Sequence, residues 1–108
     1  MLMFELIEIF WRGQQVGILV NPMPDMWYLE GKFVFCSSKI AEDFQKLIEK
    51  LDPKLVLKNW DDGEVVKLQT SPASSSFGVV HCLSKNSLFL RRITSEENIK
   101  WASEQYQY

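Results

Sequence analysis

Apolar residues recur at every second position in several short runs, and at helical spacing in one middle segment. From residue 4 to 11, Phe4, Leu6 and Phe10 fall on one side of an extended run and Ile7, Ile9 and Trp11 on the other. A strand there is apolar on both faces. Arg12-Gly13-Gln14-Gln15 reads as a tight turn. Val16, Ile18 and Val20 alternate in the next strand. Asn21-Pro22-Met23-Pro24-Asp25 reads as a loop, because its prolines cannot donate to a ladder. A long strand follows from Met26 to Phe35, with Gly31 as a point of bending. These runs predict an antiparallel meander.

The rhythm then changes. Ile40, Phe44, Leu47, Ile48 and Leu51 recur at helical spacing among charged residues, so a helix is expected from about Lys39 to Leu51. Ser37-Ser38 supplies its cap and Asp52-Pro53 its end. Leu55–Trp60 and Glu64–Leu68 flank Asp61-Asp62-Gly63, and Asp-Gly between β-rich runs predicts a hairpin. Thr70–Ser76 reads as a polar loop. Phe77–Leu83 and Leu88–Ile93 predict a last hairpin around Ser84-Lys85-Asn86-Ser87. Thr94 and Glu97 match a capping box, with Ile99, Ala102 and Tyr106 on one stripe of a short terminal helix. The expected fold is one α+β domain over residues 1–108, with elements in the order βββ-α-ββ-ββ-α. About seven antiparallel strands, in one twisted sheet or two small ones, would pack against the central amphipathic helix and the C-terminal helix. No internal repeat is visible.

The chain has 108 residues, 46% hydrophobic and 24% charged, and it carries four Trp, seven Phe and three Tyr. Each large ring can bury about 150–250 Å², so the composition is that of a packed domain. The formal net charge is −2. That balance gives no support to binding nucleic acid, which wants clustered Lys and Arg; Arg91-Arg92 is the only dibasic pair. The apolar N-terminus has no basic start and is interrupted by Glu5 and Glu8, so it does not read as a signal peptide. No run approaches the ~20 apolar residues of a membrane span. A soluble, cytoplasmic protein without membrane contact is expected, with Cys36 and Cys82 as free thiols.

Candidate chemistry is sparse. The only histidine, His81, adjoins Cys82 in the apolar run Phe77–Leu83. Neighbours on a regular strand face opposite ways, so His81 would share a face with Phe77, Val79 and Leu83, and Cys82 with Val80. That arrangement does not make a thiol–imidazole pair. Zinc spacings are missing, as are Gly-rich phosphate loops and nucleophile elbows. Asp61, Asp62 and Glu64 cluster at the Asp-Gly turn without the spacing of a calcium loop. Glu5, Glu8, Asp25 and Glu30 supply carboxylates whose separation sequence does not give. The reading is therefore no catalytic set, no metal and no cofactor.

The segment from Asp25 to Phe35 is more informative. Trp27, Leu29, Phe33 and Phe35 would share one face, and Met26, Tyr28 and Val34 the other. A sheet with one wet face should alternate apolar and polar residues. Either both faces are covered within the chain, or one meets a partner through Trp, Tyr and Met anchors. The leading expectation is a small protein-binding module, such as an inhibitor or immunity-type antidote, an adaptor or an accessory subunit. Trp11, Met23, Met26, Trp27, Tyr28 and Lys32 are its expected binding residues. The alternatives are a homodimeric structural domain, a small-ligand-binding domain and, behind these, a carboxylate-dependent hydrolase.

Overall fold

The computed structural model of the protein describes residues 5–71 and 74–106. Phe4 and the Pro72-Ala73 centre of the expected polar loop lie outside the described residues. Strands β1 (Leu6–Trp11), β2 (Gln14–Asp25) and β3 (Tyr28–Phe35) form a first antiparallel meander. Helices α1 (Lys39–Ile48) and α2 (Pro53–Lys58) and a single 3-10 turn (Trp60–Asp62) follow. Strands β4 (Glu64–Ser71), β5 (Ser74–Ser84) and β6 (Ser87–Ile93) form a second meander, and α3 (Glu96–Tyr106) closes the order.

The meanders join antiparallel at both edges, β1 to β4 and β3 to β6, and close a six-stranded barrel in the order β1-β2-β3-β6-β5-β4. Among the described strands, closure gives each one a neighbour on both sides. It needs local twist, which bulges supply. Ladder registers shift at Val16, at Asn21-Pro22, at Thr70 and at His81. The barrel replaces the expected open sheet, and six strands replace seven.

Two hydrophobic cores result. The larger fills the barrel: Ile7, Ile9, Val16, Leu19, Leu29, Phe33, Val66, Leu68, Val80, Leu88 and Leu90 all point inward. Helix α1 plugs one end with Ala41, Phe44 and Ile48. Its start is local in origin, since the Ser38 hydroxyl accepts from the Ala41 N–H at 3.2 Å. The smaller core lies outside the barrel wall. There Val56 of α2 and Ala102 of α3 cover Val65, Val79 and Ile93, flanked by Trp60, Phe77, Trp101 and Tyr106. The wall is thus apolar on both sides where helices cover it.

The first strand of the expected Asp-Gly hairpin differs most. Leu55–Lys58 is helical, because Asp52 and Pro53 begin a helix instead of ending one. The Asp52 carboxylate accepts from the Lys54 N–H at 2.9 Å, and Pro53 takes the first helical position, where no N–H is needed. Helix α1 has already ended at Ile48, short of Leu51. The Asp-Gly signal fails because Gly63 has φ −99°, not the left-handed value a tight hairpin requires. Glycine serves there for space: a Cβ would lie 2.6 Å from Val79 Cγ1 and 2.8 Å from the Val80 carbonyl oxygen.

Other boundaries move for identifiable reasons. β2 continues through both prolines to Asp25, since the bulge at Asn21-Pro22 absorbs one ring and the described pairing with β1 ends at Val20. β4 and β5 extend into the expected polar loop, with Ser71 opposite Ser74. The Trp11–Gln14 turn has Arg12 at φ 51° and Gly13 at φ 82°, the two left-handed residues of a primed hairpin turn. At α3 the cap is Ser95, not Thr94, and its hydroxyl accepts from the Asn98 N–H at 3.4 Å. Ile99 therefore faces outward, and Trp101, Ala102 and Tyr106 face the barrel.

Candidate functional site

The outer face of β3 and β6 carries the least expected chemistry. Tyr28 of β3 lies opposite Arg91 of β6, so their side chains meet on the same side of the wall. Tyr28 stacks on Phe89 with ring centroids 5.1 Å apart and planes inclined by 14°. The Arg91 guanidinium lies 4.7 Å from the Trp60 ring, and 5.6 Å from the rings of both Trp27 and Tyr28. Each such contact contributes about 0.5–2 kcal/mol. Arg91 also reaches the Tyr28 hydroxyl at 3.4 Å. Its Nε has no partner, and among the described residues the one ion pair is Lys39 with Asp43. A guanidinium is thus held in place by three rings, without a carboxylate.

Turn geometry sets the position of Trp27. Met26 and Trp27 link β2 to β3, and Met26 has φ 57°, which costs a side chain with a Cβ. The Arg92 guanidinium donates to the Met26 carbonyl oxygen, and the Arg92 N–H donates to the Trp27 carbonyl oxygen at 2.6 Å. Met26 is left 71% exposed and Trp27 43%.

His81 lies beneath this face. It is the extra residue of the β5 bulge, fully buried, edge-on to Tyr28 at 5.7 Å and to Phe89 at 5.6 Å. Neither ring nitrogen has a hydrogen-bond partner. The bulge also breaks the expected alternation: Leu83, not Cys82, packs with Val80 against the barrel core, and Cys82 lies opposite Phe89. Burial, seconded by the positive charge of Arg91, lowers the His81 pKa below its ordinary 6.5. A histidine kept neutral by the fold carries no penalty while both states are neutral. As pH falls through 6.5 the unfolded chain takes up a proton first, so stability is present above 6.5 and is lost toward the depressed folded pKa. Urea titrations from about pH 8 to about pH 5 are expected to show falling stability in wild type and a flatter profile in His81→Phe. Equal slopes would assign the acid sensitivity elsewhere.

The expected binding residues divide into three places. Trp27 and Tyr28 come together beside Arg91, and Met26 precedes them in the turn, its carbonyl oxygen held by Arg92. Met23 and Lys32 line a neighbouring shallow groove with Glu30, Gly31 and the β5–β6 turn. Trp11 is elsewhere and only 3% exposed: its ring packs on Phe44, and its indole N–H donates to Glu64 at 3.1 Å. The inward side of β1 buries it, so it offers no surface. Sequence reading missed Arg91, Trp60 and Phe89. Their grouping depends on the β3–β6 pairing and on the 3-10 turn, which no local pattern announces.

The carboxylates scatter. Glu5 stands at one barrel mouth and Glu30 at the Met23 groove. Asp61 and Glu64 share a crevice of about 210 Å³ between the β1–β2 turn and α3. Each is held by an indole: Trp101 donates to Asp61 at 3.1 Å, and Trp11 to Glu64. The Tyr106 hydroxyl closes the crevice by accepting from the Gly13 N–H at 3.1 Å. Among the described residues no three His, Cys, Asp or Glu side chains converge as metal ligands. Cys36 and Cys82 are both free thiols, and burial pushes the Cys82 thiol up, assisted by Glu30. No described helix is long and apolar enough to cross a membrane. Comparison with family models, with curated proteins and with solved structures gives no match.

Proposed function

We propose that this protein is a contact module that binds another protein through the outer face of β3 and β6. Arg91 receives a carboxylate of the partner, and Met26, Trp27 and Tyr28 pack apolar side chains around it. The observation that carries this reading is the guanidinium stacked among Trp27, Tyr28 and Trp60 with no described carboxylate beside it. Trp, Tyr and Arg dominate interface hot spots, and a preorganised guanidinium forms strong charge-assisted pairs. The exposed, left-handed Met26 supports the same surface, since backbone strain is commonly kept where function needs it. An inhibitor, an antidote, an adaptor or an accessory subunit would each act this way.

The test begins with affinity capture from host lysate and identification of what is retained. The purified partner is then titrated against wild type, Trp27→Ala, Arg91→Met and the exposed control Glu97→Gln. Trp27→Ala and Arg91→Met are expected to weaken binding about tenfold or more, equivalent to about 1.4 kcal/mol or more. The control is expected to leave affinity unchanged. Added salt is expected to weaken the wild type more than Arg91→Met. Unchanged affinity in both surface variants would overturn the placement. A dimer of the purified chain that Trp27→Ala dissolves would replace the partner with a second copy.

Met26 gives an independent check. Met26→Gly removes the Cβ from a left-handed position and is expected to raise stability by about 1 kcal/mol. It is also expected to weaken partner binding. A variant that gained stability and kept full affinity would remove Met26 from the contact.

A further inference from the structure

We propose that the barrel mouth opposite α1 is a binding site for a small carboxylate with a short apolar body. The mouth is a cavity of about 210 Å³, smaller than the pockets that hold drug-sized ligands. Its wall is apolar, built from Ile7, Leu29, Leu68, Pro22 and Pro24. Its polar side chains are Arg92, the Glu5 carboxylate and the rim hydroxyls of Thr70, Ser74 and Ser76.

Register explains why a cation sits there. Val80 lies opposite Leu90 and Gly78 opposite Arg92, so Arg92 continues the inward row that Leu90 occupies deeper in the barrel. One amino group of its guanidinium is taken by the Met26 carbonyl oxygen. Its Nε is buried and has no partner. Glu5 stands on the same rim but forms no ion pair with it, and the one ion pair among the described residues lies on α1. Arg92 is half-buried, and a guanidinium pairs best with a planar carboxylate presented side-on. Arg92 lines this apolar cavity without an ion pair among the described residues, and so favours such a group. The apolar wall selects for a short hydrocarbon body. Phosphate offers the charge without that body, and an alcohol offers the body without the charge.

The experiment is a titration of the intact protein followed by proton–nitrogen correlation spectra, which report the Arg92 Nε–H directly. The probes are butyrate, hexanoate, hexanol and inorganic phosphate. Hexanoate is expected to bind saturably with a dissociation constant of about 1 mM or tighter. It should move the Arg92 Nε–H together with the amides of Ile7, Leu29 and Ser76, and butyrate should bind more weakly. Hexanol and phosphate are expected to leave these signals unchanged. These two arms test the charge and the apolar body without any substitution. Ser76→Leu, which narrows the mouth without touching Arg92, is expected to weaken hexanoate at least tenfold. Arg92→Gln is expected to abolish the response. No saturable response at this mouth to either acid would overturn the proposal. So would an equal response to hexanol or phosphate, or full hexanoate binding in Ser76→Leu.

Discussion

Phe44→Ala is expected to cost about 3–5 kcal/mol, among the largest effects available to a single substitution in this chain. Phe44 is fully buried on α1, with its ring 5.3 Å from Trp11 and 6.2 Å from Phe33. Among the described residues it is the largest wholly buried side chain, and it is the centre of the plug that seals one barrel end. Truncation removes apolar contact and leaves a cavity bounded by barrel strands, whose paired backbones restrict collapse into it. A domain of this size has about 5–15 kcal/mol of stability in all. The melting temperature should therefore fall by roughly 15–30 °C. Urea unfolding followed by tryptophan fluorescence reads this well, since Trp11 touches the deleted ring. Lys46→Ala, on the exposed side of the same helix, should stay within about 0.5 kcal/mol. Equal costs for the two would mean that α1 does not seal the barrel.

Gly17→Ala is the second large effect, and it comes from adding an atom instead of removing several. Gly17 lies between Ile9 of β1 and Phe35 of β3, on an inward row. The ring of Phe33 occupies the space a side chain would use. A Cβ at Gly17 would lie 2.4 Å from Phe33 Cζ and 2.5 Å from the Val34 carbonyl oxygen. Phe35 and Phe44 already pack on the ring, with centroids 4.7 and 6.2 Å away, and oppose its displacement. The carbonyl belongs to the adjacent strand and cannot withdraw without opening the ladder. Overpacking of this kind costs about 1–3 kcal/mol, and a backbone atom in the clash places Gly17→Ala at the upper end. The double variant Gly17→Ala, Phe33→Leu should recover part of the loss, because the shorter side chain vacates the contested space. Guanidinium unfolding of both variants decides it. A neutral Gly17→Ala would show that β2 and β3 are further apart than described.

Helix α1 was legible because its cap at Ser38 and its stripe of Ile40, Phe44, Leu47 and Ile48 are local features. The first strand was legible too: Ile7, Ile9 and Trp11 do share a face, and it is the buried one. That alternation could not say whether the face met a core or a partner, so Trp11 entered the expected binding set and proves to be interior. The apolar run through Met26, Trp27 and Tyr28 was legible, but strand alternation put Trp27 and Tyr28 on opposite faces; the turn before β3 instead brings both rings to Arg91.

Local patterning, capping and turn chemistry thus determined the α+β class, the central helix and most strands of this protein. Tertiary structure alone decided the rest. It closed the barrel, because pairing of β1 with β4 and β3 with β6 joins residues far apart in the chain. It turned Leu55–Lys58 into a helix, because the Asp52 cap and the burial of Val56 against the wall outweigh an Asp-Gly hairpin signal. It placed Arg91 among three rings and Arg92 at the mouth, although the two are neighbours in sequence. A strand sends successive side chains to opposite faces, and only the closed sheet determines what each face meets.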